Sequence, residues 1–136
     1  MPKIFGLNLL GWIITSIAFF LLGFVFFGVI FLEKMTELMA YDENTAWNFN
    51  QGVQMALGFI NVAVVSLGIG LVLKWQKVDN MVSAIKTALI LAVVFAITTE
   101  AYGWIYGAYP IKMTVIDGAY TLIGYSMVAA IWSFFD

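Results

Sequence analysis

The chain has no histidine, no cysteine and no arginine, and only 10% of its 136 residues are charged. Each absence removes a class of chemistry. Without His and Cys there is no disulfide, no thiolate nucleophile and no Cys/His zinc site. A Ser-His-Asp triad is impossible, as is imidazole ligation of haem. Without Arg, the cationic ladder of a voltage sensor is excluded. Net charge is −2, and the six basic residues are spread along the chain. Nucleic acid is therefore not an expected partner, because that affinity needs clustered Lys and Arg. Soluble domains carry about 25% charged residues. With 63% hydrophobic residues, the apolar excess must face lipid.

What is present is a set of long apolar runs. The first extends from Ile4 to Leu32 with no charge inside it. About 20 residues suffice to cross a bilayer, so this helix is overlong and must tilt or project. It exceeds the apolar core of a signal peptide and lacks a small-x-small site before Glu33, so a retained span is expected. Four spans follow from the runs, at about 5–32, 52–73, 81–102 and 114–135 in a single domain, 1–136. The expected fold is an all-α integral membrane four-helix bundle. Met35, Leu38 and Met39 stand at helical spacing, so 33–41 either continues the first helix or lies on the membrane surface. Tyr41 to Thr45 reads as a turn in which Asp42, Asn44 or Thr45 caps the second helix, and Asp79-Asn80 caps the third.

Lys3, Lys74, Lys77 and Lys86 fall at one end of such a bundle, against Lys34 and Lys112 at the other. The positive-inside rule then places both termini in the cytoplasm. Trp12, Trp75 and Trp132 fall near the inner ends of the helices, as an interfacial aromatic belt would.

Rows of small residues recur at helical spacing. They comprise Ala84, Ala88, Ala92 and Ala96, then Ser66 and Gly70, then Gly11 and Thr15, then Thr121, Gly124 and Val128. A further row holds Gln54, Gly58, Asn61, Val65 and Gly68. Helices in lipid associate by close approach and interhelical hydrogen bonds, so these rows read as the bundle seam, or one of them as a docking face.

Two carboxylates fall inside or at the edge of the spans, Glu100 and Asp117. An unpaired charge in hydrocarbon costs about 2.5–3.5 kcal/mol even on the lenient insertion scale, which makes each a candidate site. Both lie near the same end of the bundle, with Asn61 and Lys112 as possible neighbours. Such a pair can share a proton or hold a hard cation. Two structural readings compete with this. Thr114 to Asp117 fits a capping box, and Glu100 fits an ion pair with Lys112. Asn61 fits an interhelical hydrogen bond. No catalytic or metal-binding constellation is present in the sequence; any cofactor is unknown from it, and a pigment held by hydrophobic contact stays open.

The segments Phe26-Phe27-Gly28, Phe31 with Glu33-Lys34-Met35, and Lys112 to Tyr120 with its Lys, Ile-Asp and Tyr pattern resemble an uncharacterised family of small bacterial four-helix membrane proteins, domain of unknown function 1761. Phe26-Phe27 stands where that family usually has Trp-Tyr. The resemblance implies four spans and brings no activity with it. The expected function is non-enzymatic, by assembly with other membrane subunits or with itself in the lipid bilayer. The alternative is a small carrier or proton/cation pathway through Glu100 and Asp117.

Overall fold

Four helices long and apolar enough to cross a bilayer dominate the computed structural model, which describes residues 2–135. They are Leu9–Ile30, Gln51–Trp75, Met81–Ile105 and Ile111–Trp132, of 22 to 25 residues each. At 1.5 Å rise per residue they measure about 33–38 Å, enough for a hydrocarbon core of about 30 Å.

The first span starts later than the hydropathy of the sequence implies, because turn chemistry intervenes. Two short strands, β1 (Lys3–Ile4) and β2 (Leu7–Asn8), pair antiparallel around Phe5-Gly6. Both turn residues have positive φ, 49° and 82°, as the tightest hairpin turn requires. Asn8 then caps α1 (Leu9–Val25), its side chain accepting from the backbone N–H groups of Leu10 and Gly11. A π-helical turn, Phe26–Ile30, completes the span and the helix breaks at Phe31. Residues Leu32–Met39 form a separate helix, α2, closed by Ala40 in the left-handed conformation. The apolar face of α2, with Met35, Leu38 and Met39, packs on Phe26, Met113 and Ile116. It is a helix separate from the first span.

Asp42 to Thr45 do form a turn, tied by Asp42 N–H to Thr45 Oγ1 and Asn44 N–H to Asp42 Oδ1, both 2.8 Å. The cap of α3 (Gln51–Trp75) is Asn50, which accepts from Val53 N–H at 2.9 Å. Asn80 caps α4 (Met81–Leu91) as expected, accepting from Ser83 N–H. The third span continues through a second π-helical segment, Ala92–Ile97, into α5 (Thr98–Ile105). The fourth, α6 (Ile111–Trp132), begins three residues before Thr114, after Pro110 and without a side-chain cap. The capping box expected at Thr114–Asp117 therefore does not form: both residues are already inside the helix.

Helix α6 packs against α1, α3 and α4, and α1 packs along α3. At the end that carries both termini (the terminal end), Trp132 is buried and its indole donates to the Ser66 carbonyl at 2.9 Å. Its ring lies in a slot opened by Gly11 and Gly70, where an added methyl would sit 2.8 and 2.7 Å from the ring. Trp12 donates in the same way to the Ala63 carbonyl at 2.8 Å. The expected belt position holds for Trp75, which is exposed, and fails for Trp132, which is core.

The small-residue rows separate cleanly. Ala84, Ala88 and Ala92, Ser66 and Gly70, Gly11 and Thr15, and Thr121, Gly124 and Val128 are all buried, while Ala96 is half-buried. The row on α3 from Gln54 to Gly68 is not. Gln54, Asn61 and Gly68 are exposed, with Gly58 and Val65 half-buried between them.

Candidate functional site

Glu100 lies five residues before the end of the third span and Asp117 six residues after the start of the fourth. Both therefore stand about 8–9 Å below the same end of the bundle, the one opposite the termini (the distal end). What turns Glu100 toward its neighbours is the π-helical segment. In an unbroken α-helix a spacing of four advances about 40° per step, so a row starting at Ala84 would have rotated about 160° by Glu100. A π turn takes up nearly one residue more than an α turn. The segment Ala92–Ile97 thus absorbs part of the drift and returns Glu100 to the side of the buried alanines. The hydroxyls of Thr98 and Thr99 donate to the Val94 and Phe95 carbonyls, each at 2.5 Å. They satisfy backbone acceptors that the wider turn leaves under-used in lipid.

Asp117 accepts a hydrogen bond from the Tyr109 hydroxyl at 2.6 Å. Pro110 makes this possible by starting α6 directly after Tyr109, which leaves the ring free to reach the second turn. Glu100 stands at about the same depth on the neighbouring span. Its Oε2 is buried without a hydrogen-bond partner, so it makes no contact there with Lys112, which is exposed. The ion pair expected between these two does not form. Thr114 is also buried with an unpartnered hydroxyl. Gly118 packs on Ile97. One turn further toward the distal end, the antiparallel helices place Thr114 opposite Glu100 and Ala101.

The α2 face and Tyr109 share one apolar cluster with Phe26 and Met113, so this short helix packs beside the ring that holds Asp117. Burial, the Asp117 hydrogen bond and the charges of Asp117 and Glu100 hold the Tyr109 phenol above its ordinary 10.0. Tyr109 is thus a persistent proton donor. Asn61 does not join this group. It sits exposed on α3, along a groove of about 390 Å³ between α1 and α3 that Gln54, Gly58 and Phe24 also line.

Chemically, the cluster offers a carboxylate already hydrogen-bonded, a second carboxylate with a free oxygen, and a free hydroxyl. Such oxygens suit a shared proton or a hard monovalent cation. Among the described residues no three acidic side chains converge to hold a metal ion. Sequence reasoning named Glu100 and Asp117 as candidates and did not name Tyr109 or Thr114 beside them. The available signal was the Tyr-Pro step, which places an aromatic hydroxyl just ahead of a helix carrying an acid in its second turn.

A family model covering residues 10–133 matches this chain, under the description protein of unknown function, DUF1761. The chain belongs to the DUF1761 family. The match spans nearly all of the bundle described above, including both π-helical segments and the Tyr109–Asp117 pair. Searches of curated proteins and of solved structures found no match. Membership of DUF1761 brings no activity with it and leaves function to the physical chemistry of the sites.

Proposed function

We propose that this DUF1761 protein acts without catalysis, by assembly in the membrane, as an accessory subunit of a larger complex or as a homo-oligomer. The observation that carries this is the row at the margin of the bundle, in which Gln54, Asn61 and Gly68 are exposed. Gln54, Gly58, Asn61, Val65 and Gly68 run about 21 Å along α3, with open space over Gly68. Lipid tails offer an amide no hydrogen-bond partner, whereas another helix does, and glycines let that helix approach closely. The cation distribution supports an orientation with both termini in the cytoplasm, and we take the membrane to be the bacterial inner membrane. The test is the mass and composition of the particle extracted from native membranes in mild detergent. A particle larger than the 15.1 kDa chain plus its detergent is expected. A particle of one chain alone would sink the proposal.

A second reading, a carrier or proton/cation pathway, is favoured by the unpartnered Glu100 Oε2 and Thr114 hydroxyl. It predicts a proteoliposome flux that Glu100→Gln with Asp117→Asn abolishes. A flux unchanged by both substitutions, or no flux at all, would refute it.

A further inference from the structure

At the terminal end a cavity of about 390 Å³ opens between the β1–β2 hairpin, the α3–α4 connection and the end of α6. Lys3, Lys74 and Lys77 line it, half of the six basic residues in the chain. One carboxylate is present among the described lining residues, Asp79, and it already accepts from Asn80 Nδ2 at 3.0 Å. Leu7, Leu73 and Phe135 form an apolar wall.

Backbone geometry brings two of the cations here. Gly6, at φ +82°, leaves the space where its side chain would begin to the Lys74 ammonium. Lys77 takes the left-handed position after α3, at φ 54°, where helices normally place glycine. Its N–H donates to the Lys74 carbonyl while Val78 N–H donates to that of Leu73. A lysine in that conformation is strained relative to glycine, and its charge adds to those of Lys3 and Lys74. Three ammonium groups around one cavity give it the charge that an anion would complement. The ends of the spans and the exposed Trp75 place the cavity at headgroup depth, where lysines contribute strongly to binding anionic lipid.

We propose that this cavity binds a phosphate group, held by Lys3, Lys74 and Lys77. An anionic phospholipid, its chains leaving over the apolar wall, and free inorganic phosphate are the two possible sources. The site is separate from the α3 row and from the carboxylates, so it stands whether or not the assembly proposal does.

The full chain in mild non-ionic detergent is titrated with phosphatidylglycerol, phosphatidylcholine or inorganic phosphate, following lipid adducts by native mass spectrometry and the thermal midpoint. Phosphatidylglycerol is expected to bind more tightly than phosphatidylcholine and to raise the midpoint. Lys3→Gln with Lys77→Gln weakens it about 25-fold, roughly fivefold per lysine. Lys86→Gln, at the same end but outside the cavity, leaves it unchanged. Lys77→Gly weakens binding about fivefold without lowering the lipid-free midpoint, a combination that a merely structural lysine would not produce. Stabilisation by inorganic phosphate alone, with competition against the lipid, would assign the site to the soluble anion; no effect of phosphate would assign it to lipid. Equal phosphatidylglycerol affinity in the Lys3/Lys77 and Lys86 variants, or no preference over phosphatidylcholine, would overturn the proposal.

Discussion

The two halves of the bundle are built differently. In the terminal half, glycines and alanines let helices close on one another, and the buried indole of Trp132 meets a carbonyl acceptor. In the distal half, aromatic rings do the packing: Phe26, Phe27, Phe31 and Tyr120 stand with ring centroids 4.6–5.6 Å apart in successive pairs. That half also holds the π-helical turn of the first span, Glu100 and Asp117, and, among the described residues, two of the three buried polar side-chain atoms left without a partner. The contrast separates roles. Close packing fixes the helices relative to one another at one end, and this rigidity lets the other end hold groups that do not stabilise the fold by themselves.

The comparison breaks most severely if the terminal half is not the stabilising one. Trp132→Ala removes a buried ring and its hydrogen bond, and a loss of about 3–5 kcal/mol is expected, measured by reversible denaturant unfolding in bicelles. A loss below about 1 kcal/mol would mean that the indole slot is not the lock described here.

Tyr109→Phe takes a smaller toll at the distal end. Removing a hydrogen bond to a carboxylate is expected to cost about 1.5–3 kcal/mol in the same assay. The pH dependence sharpens this. The folded-state pKa of the phenol is raised, so its contribution is complete below pH 10 and is lost as pH rises further, because the unfolded chain then releases the proton first. The gap between wild type and Tyr109→Phe should therefore narrow above pH 10. A gap independent of pH would show that the ring, rather than its hydroxyl, carries the effect.

The smallest change is also the one with opposite sign. Thr114→Val replaces an unpartnered buried hydroxyl with a methyl group and is expected to stabilise by about 1 kcal/mol. Destabilisation instead would mean that the hydroxyl holds a proton, water or cation in the native membrane, and would favour the second functional reading.

Much of the architecture was legible in the residues. The span count, the turn at Asp42–Thr45 and the Asn80 cap follow from local patterns, and all are present. The start of the first span was misread because hydropathy does not register the Phe5-Gly6 turn or the Asn8 cap. The start of α6 was misread because a Thr-x-x-Asp pattern looks the same at a helix start and one turn inside it. The pairing of Asp117 with Tyr109 was hidden because it depends on where that helix begins. The cavity of Lys3, Lys74 and Lys77 joins residues some 70 positions apart, and no spacing rule reaches that far.

By itself the sequence determined that the chain crosses a bilayer four times. Apolar run length is matched to membrane thickness, and every backbone group must be satisfied within its own helix. Those are local conditions that each segment meets or fails alone. Only the tertiary structure decided which rows of small residues close the bundle, that the α3 row from Gln54 to Gly68 stays at its margin, and that Glu100 turns toward Asp117. Those outcomes depend on the rotation of each helix about its axis. A row spaced by four drifts about 40° at each step, a π-helical turn resets it, and in lipid an apolar face is equally compatible with the interior and the outside.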